Sequence, residues 1–301
     1  MGDFSIKGHA AMFCANVTWG LMAPVAKLVM ASGVIAPLIL VDFRVAGAAV
    51  LFWIASLFCK REHVPPRDLL LLAGAGLLSV VFNQGCFIFG VGLTSPGEAS
   101  IITTTMPLWV MVLAAVILKE PVTLKKVGGI VLGASGALIL VLGRVGAEVP
   151  GQNPLAGDVL VFVAQFSYAL YLTLYRNFIR KYSLVTLMKW MFTFASLAVI
   201  PASLSTIRST QWGLVTHEEA IGVACVVVFA TFLAYVCIMT GQKNLRPTVV
   251  GMYNYVQPLV ASALGVYLGF DSFTPLKCVA VVLIFSGVYL VTVSRARSAS
   301  R

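Results

Sequence analysis

Ten apolar runs follow one another along these 301 residues, joined only by short connections. A helix needs roughly 20 apolar residues to cross ~30 Å of hydrocarbon. The runs that reach this length lie at about 8–31, 35–58, 68–90, 96–118, 125–143, 155–178, 185–207, 219–241, 247–269 and 275–294. No stretch remains for a soluble domain. The composition agrees, with 59% hydrophobic and 11% charged residues, where a soluble domain carries about 25% charge. An ordinary soluble enzyme, a disordered chain and a secreted disulfide scaffold are thereby excluded. The expected fold is an all-α integral membrane protein with ten transmembrane helices. The six cysteines lie in or beside apolar runs and form no CxxC pair. They read as small packing residues, so neither a metal nor another cofactor is expected.

The net charge of +10 would suggest nucleic acid in a soluble protein. Here it sorts by loop. With the N-terminus inside, fifteen of the 21 basic residues fall in cytoplasmic segments. Only Arg144, Arg208 and Lys277 fall outside, and Lys27, Arg44 and Lys189 lie within spans. This is a positive-inside bias with both termini cytoplasmic, expected in an inner (cell) membrane, and no nucleic-acid partner is needed to explain the charge. Lys7 before an apolar run resembles a signal sequence. The run is too long for one and is interrupted by Asn16, Pro24 and Lys27, so it reads as a retained helix.

The chain aligns with itself. At an offset of 149, Asn16 meets Gln165, Trp19 meets Tyr168 and Lys27 meets Arg176. At an offset of 151, Pro96 meets Pro247, Pro107 meets Pro258, Glu120 meets Asp271 and Gly136 meets Gly287. Residues 1–150 and 151–301 then form two repeats of five spans. Five is odd, so the repeats lie inverted to each other in the membrane. Inverted repeats are a transporter signature, with the substrate site near the midplane at the repeat interface.

These features resemble the drug/metabolite transporter superfamily, EamA-type transporters in particular. The resemblance is carried by Asn16, Trp19 and Gly20, by Ser95-Pro96-Gly97-Glu98-Ala99, and by Pro107 with Leu118-Lys119-Glu120-Pro121. The second half echoes it in Arg246-Pro247, Gln257-Pro258 and Phe270-Asp271-Ser272, but has no acidic counterpart of Glu98 at Val249. The resemblance implies a basket of ten helices. Spans 1, 3, 4, 6, 8 and 9 line a central cavity, and spans 5 and 10 sit at the periphery. Span 5 itself, with Gly128, Gly129, Gly133 and Gly136, reads as tight helix packing or a homodimer contact.

Polar side chains in the spans are the candidate substrate-binding residues, because each needs a partner or a cavity. Asn16, Trp19 and Lys27 share one face of span 1, and Gln165 and Tyr168 repeat the amide–aromatic pairing in span 6. Asn83 and Gln84 lie deep in span 3, with Tyr235 as the counterpart of Gln84 in span 8. Thr103 precedes Pro107, and Tyr253, Asn254 and Gln257 precede Pro258, where a helix kink is expected. The alternative for the amides is interhelical hydrogen-bond glue, and for the threonines, bonds to their own helix. Glu98 is either a coupling carboxylate or the third residue of a capping box begun by Ser95. Lys27, Asp42 and Arg44 fall near one outer level and are expected to form an ion-paired gate.

The expectation is a secondary transporter of small neutral or zwitterionic metabolites such as amino acids or amphipathic solutes, exporting by alternating access. The absence of a central cation pair disfavours phosphates. No phosphate-binding loop, HExxH or GxSxG string occurs, so ATP-driven transport and an intramembrane enzyme are the weaker alternatives. A channel or structural subunit is a third.

Overall fold

The structure is a computed structural model that describes residues 5–30, 32–93, 102–142, 154–267 and 275–294. All regular elements among them are helical. The first half contributes α1 (Ile6–Met30), α2 (Pro37–Leu57), α3 (Pro66–Gly76), a π-helical stretch (Leu77–Gly85), α4 (Cys86–Leu93), α5 (Met106–Ile117) and α6 (Leu124–Leu142). The second contributes α7 (Pro154–Leu174), α8 (Leu184–Ser209), α9 (His217–Val227), a second π-helical stretch (Val228–Leu233) and α10 (Ala234–Asn244). It continues through α11 (Pro247–Met252), a 3-10 turn (Tyr253–Tyr255), α12 (Val256–Tyr267) and α13 (Pro275–Thr292).

Among the described residues, five helical segments are long and apolar enough to cross a membrane: Pro37–Leu57, Pro66–Gly90, Leu155–Leu174, Leu184–Ser209 and His217–Asn244. Shorter apolar helices, Met106–Ile117 and Cys278–Thr292, accompany them. Large apolar side chains are exposed around a mostly apolar core that also encloses polar groups. Leu70 is 76% exposed and Val282 64%, whereas Asn16 and Thr231 are fully enclosed. An apolar outside and enclosed polar groups suit a chain solvated by lipid.

Local sequence explains where the helices start. Proline stands at the first turn of α2, α3 and α11, where its missing N–H is no loss. Ser183 caps α8 by accepting from the Thr186 amide. Thr216 and Glu219 form a reciprocal capping box on α9.

Several local features recur at the offset of 151 seen in the sequence. The π-helical stretch at Leu77 has its counterpart at Val228. The helix is broken at Thr104-Thr105 ahead of Pro107, and the 3-10 turn Tyr253–Tyr255 lies ahead of Pro258. Both breaks sit where a proline in a helix removes a backbone bond.

α6 lies against α13 along a seam of small residues. A Cβ on Gly129 would stand 2.7 Å from the Gly287 carbonyl oxygen, and one on Gly136 would stand 2.6 Å from that of Ala280. These two contacts are images of each other at the same offset. The backbones touch where side chains would not fit, as in membrane helix pairs driven by close packing. Gly128 meets nothing within 4 Å. The glycine-rich span therefore packs within the chain, through Gly129, Gly133 and Gly136. Gly129→Leu is expected to destabilise the protein by at least ~1–3 kcal/mol through overpacking, and Gly128→Leu by much less. Melting temperatures of the two variants in detergent check this contrast.

Candidate functional site

The middle of the bundle is built from polar side chains that hold one another. The π-helical stretch of the first half carries Asn83 and Gln84. Gln84 is 7% exposed, and its Nε2 donates to the Tyr235 hydroxyl. The Tyr235 ring lies edge-on to Trp19 at 5.8 Å and to Phe192 at 4.9 Å. Trp19 Nε1 donates to the Ala230 carbonyl at 3.0 Å, inside the second π-helical stretch. That stretch also presents Thr231, which donates to the Val226 carbonyl and accepts from Arg44 Nε at 3.1 Å. A π-helical turn leaves its backbone groups less evenly paired than an α-helix does, and such turns recur at functional sites. Here both stretches feed the same cluster.

Around it, Asn83 Nδ2 donates to the Ala164 carbonyl at 3.0 Å, beside buried Gln165. Asn16 Nδ2 donates to the Met12 carbonyl at 2.8 Å, and its Oδ1 accepts from Gln257 Nε2 at 2.9 Å. Gln257 also reaches Asn254 Oδ1 at 3.3 Å. Tyr253 shares a 2.6 Å bond between its hydroxyl and His9 Nδ1. Thr103 is half-buried just before the break ahead of Pro107, and Thr105 bonds back to the Ile102 carbonyl. Tyr168 accepts from Gln242 Nε2 at 3.1 Å, while Tyr171 donates to Gln242 Oε1 at 2.9 Å.

The structure therefore brings Trp19, Gln84 and Tyr235 together, and separately Asn16, Asn254 and Gln257. Tyr168 stands in a third cluster with Tyr171 and Gln242. Those last two, and Thr231, are missing from the sequence expectation. Tyr171 lies one turn from Tyr168 and so on the same face. Thr231 and Gln242 are isolated polar residues of an apolar run, the same signal that singled out Gln84.

The expected Asp42–Arg44 ion pair is not made. Residues two apart on a helix point to different faces. Arg44 points to Thr231, whereas Asp42 is buried on the side of Ser203 in α8. The Lys27 side chain and all of Glu98 lie outside the described residues.

An ionic cluster instead occupies the opposite end of the bundle, near the start of α1. α5 ends with Lys119 in the left-handed region at φ 52° and the Glu120 amide donating back to the Ala114 carbonyl at 3.1 Å. The turn directs Glu120 inward, where it is 6% exposed. Its carboxylate accepts from Lys126 at 2.8 Å, Arg176 at 2.7 Å and Thr248 at 3.1 Å. Lys126 belongs to the first half of the chain, Arg176 and Thr248 to the second. Burial pushes the Glu120 carboxyl up, but the Lys126 hydrogen bond and the charges of Lys126, Arg176 and Arg246 outweigh it and hold the group below the usual range. Arg246 itself donates to the last carbonyls of α13, at Val291, Thr292 and Ser294.

With this geometry in hand, comparison with known proteins is informative. The EamA-like transporter family matches residues 6–142 and again 155–293. The chain belongs to the EamA-like transporter family, and is a membrane transporter. An uncharacterized inner membrane transporter, YedA of Escherichia coli (strain K12), is 26% identical over 95% of this chain and 90% of its own. An uncharacterized transporter, YetK of Bacillus subtilis (strain 168), is 22% identical over 84% and 77%. A WAT1-related protein of Arabidopsis thaliana is 23% identical over 91% and 80%. A crystal structure shares the fold with a TM-score of 0.78 at 18% identity, covering 94% of this chain and 95% of the other.

Because the Glu120 carboxyl is held low in the fold, it stabilises the protein above its unfolded pKa of about 4.3 and stops doing so as pH falls through the depressed folded value. Glu120→Ala strands Lys126 and is expected to cost about 3 kcal/mol at pH 7. Melting curves from pH 3 to 8 should show the gap between variant and wild type closing toward the acid limb.

Proposed function

We propose that this chain is a secondary transporter, and not an enzyme, that moves small neutral or zwitterionic metabolites across the inner membrane by alternating access, in the export direction. In this reading the ten helices form two inverted five-helix repeats, with both termini cytoplasmic.

One observation carries the proposal. Gln84 bonds Tyr235, and Tyr255 donates to the Thr104 carbonyl at 3.1 Å. In each pair the partners are 151 residues apart, so each residue touches its own repeat image. A residue can do so only near the axis that relates the two halves. That axis is where an inverted-repeat carrier puts its substrate and about which it rocks. The aromatic and amide groups near it, Trp19, Tyr235 and Gln84, suit a small solute with polar edges and an apolar body.

Alternating access also needs contacts between the halves that break when one side opens. Glu120 with Arg176 and Thr248 is such a contact, at the end read as cytoplasmic. Asp42, buried toward the other end, is the candidate on the outer side, together with Lys27 and Glu98.

Purified protein in proteoliposomes is expected to show saturable counterflow of at least one solute in a panel of amino acids and amphipathic metabolites. Unsaturable flux would instead mark a channel. A solute that binds raises the melting temperature by mass action. Trp19→Ala and Asn254→Ala should abolish that rise, with Asn254→Ala leaving the ligand-free melting temperature within a few degrees; a rise preserved in both moves the site elsewhere. Asp42→Asn should slow counterflow at unchanged expression and melting temperature, and an unchanged rate removes Asp42 from the gate.

A further inference from the structure

Arg44 is the one residue of the central cluster that carries a full charge. It is 5% exposed and sits seven residues into α2. Its Nε is held by Thr231 at 3.1 Å, and Thr231 is anchored in turn to the Val226 carbonyl. Neither of its Nη groups donates to a protein group among the described residues. Nor does any carboxylate among them pair with it: the ion pairs there are Lys126–Glu120, Arg176–Glu120 and Lys181–Asp68. Asp42 projects from another face of α2. A buried, uncompensated cation in an apolar bundle is destabilising, and such residues usually mark a substrate or ion path.

A second orphan lies in the same cluster. Gln84 gives its Nε2 hydrogen to Tyr235, while its Oε1, also buried, accepts no hydrogen bond among the described residues. Trp19 joins it to the Arg44 side, packing on the Tyr235 ring at 5.8 Å and donating to the carbonyl of Ala230, next to Thr231. One end of the cluster thus offers an unfilled donor fork and the other an unfilled acceptor, with the rings of Trp19, Phe192 and Tyr235 alongside.

We propose that Arg44 anchors a carboxylate of the transported molecule, and that Gln84 Oε1 accepts an N–H or O–H of the same molecule. The inference rests on the transporter reading but redraws its substrate class as small carboxylic acids with a hydrogen-bond donor close by, which keeps zwitterionic amino acids and adds anionic hydroxy acids. A guanidinium matches a carboxylate bidentately. Its single charge neutralises one carboxylate and leaves half of a phosphate dianion unmatched. The complex is then electrically neutral at the anion end, which is what burial in lipid favours. Holding the guanidinium by Nε alone leaves the Nη pair for the ligand, so Thr231 acts as a positioning residue.

Two measurements test this. The first needs no ligand. If Arg44 is kept for a ligand's charge and not for the fold, Arg44→Met keeps the packing and removes the uncompensated cation. Its ligand-free melting temperature should equal or exceed that of the wild type. A fall of more than about 4 °C would make Arg44 structural and overturn the proposal. The second uses full-length protein in proteoliposomes, with a panel of labelled amino acids and 2-hydroxy acids and the carboxamides of the same compounds. Wild type should exchange acids at least about tenfold faster than their amides, since a site built to pair a group rejects the analogue lacking it. Arg44→Met should bring the two within about twofold, and Arg44→Lys should keep part of the preference. Amides exchanged as fast as acids by wild type, or a preference that survives Arg44→Met, would refute the anchor. Saturable exchange of uncharged metabolites alone would also refute it while leaving the transporter reading standing. If wild type exchanges no member of either panel or of the neutral metabolites, the transporter reading fails, and the melting comparison still decides whether Arg44 is structural.

Discussion

The architecture depends on one constraint: a polar group inside an apolar bundle must be satisfied by another part of the same chain. With only 11% of residues charged, partners are scarce, so the interior amides and Trp19 reach across to different helices, while buried serines and threonines such as Ser79 and Thr173 bond back to their own. Asn16 meets Gln257, Asn83 meets the Ala164 carbonyl, Gln84 meets Tyr235, and Trp19 meets the Ala230 carbonyl. These bonds fix which helices neighbour which, because apolar faces packed in lipid have little preference for one partner over another. The small-residue seam between α6 and α13 does the same by shape, allowing an approach that only Gly129, Gly136 and Gly287 permit.

The same constraint separates two kinds of site. At one end, the Glu120 carboxylate is surrounded by Lys126, Arg176 and Thr248, and every charge there has a partner. A satisfied network of this type holds two halves together. In the centre, Gln84 Oε1 is buried with no hydrogen bond among the described residues, and Arg44, 5% exposed, is held there by its Nε alone. Unfilled capacity at the interface of two repeats is what a ligand can complete. One cluster thus reads as a latch and the other as a seat.

The two π-helical stretches connect these ideas to local structure. Each lies at the same place in its repeat and inserts an irregular turn where the halves meet. Both expose backbone and side-chain groups to the cluster, Gln84 from the first and Thr231 from the second. Their positions escape sequence reading because a π turn differs from an α turn by one residue of register and leaves the apolar pattern intact. The breaks ahead of Pro107 and Pro258 were legible, since proline removes a specific backbone bond.

What the sequence determined by itself was the apolar, helical class of the chain, the duplication, the prolines that break helices and most of the interior polar residues. All of these follow from short-range patterns of hydropathy, spacing and residue type. It misplaced Arg44 beside Asp42, because proximity along a helix was taken for proximity in space, and two residues of separation turn the side chains to different faces. It counted Lys126, Arg176 and Arg246 as markers of orientation and not as parts of a network around Glu120. Only the tertiary structure decided which polar groups find partners and which stay unfilled, because a hydrogen bond between helices 128, 151 or 241 residues apart leaves no trace in any local pattern.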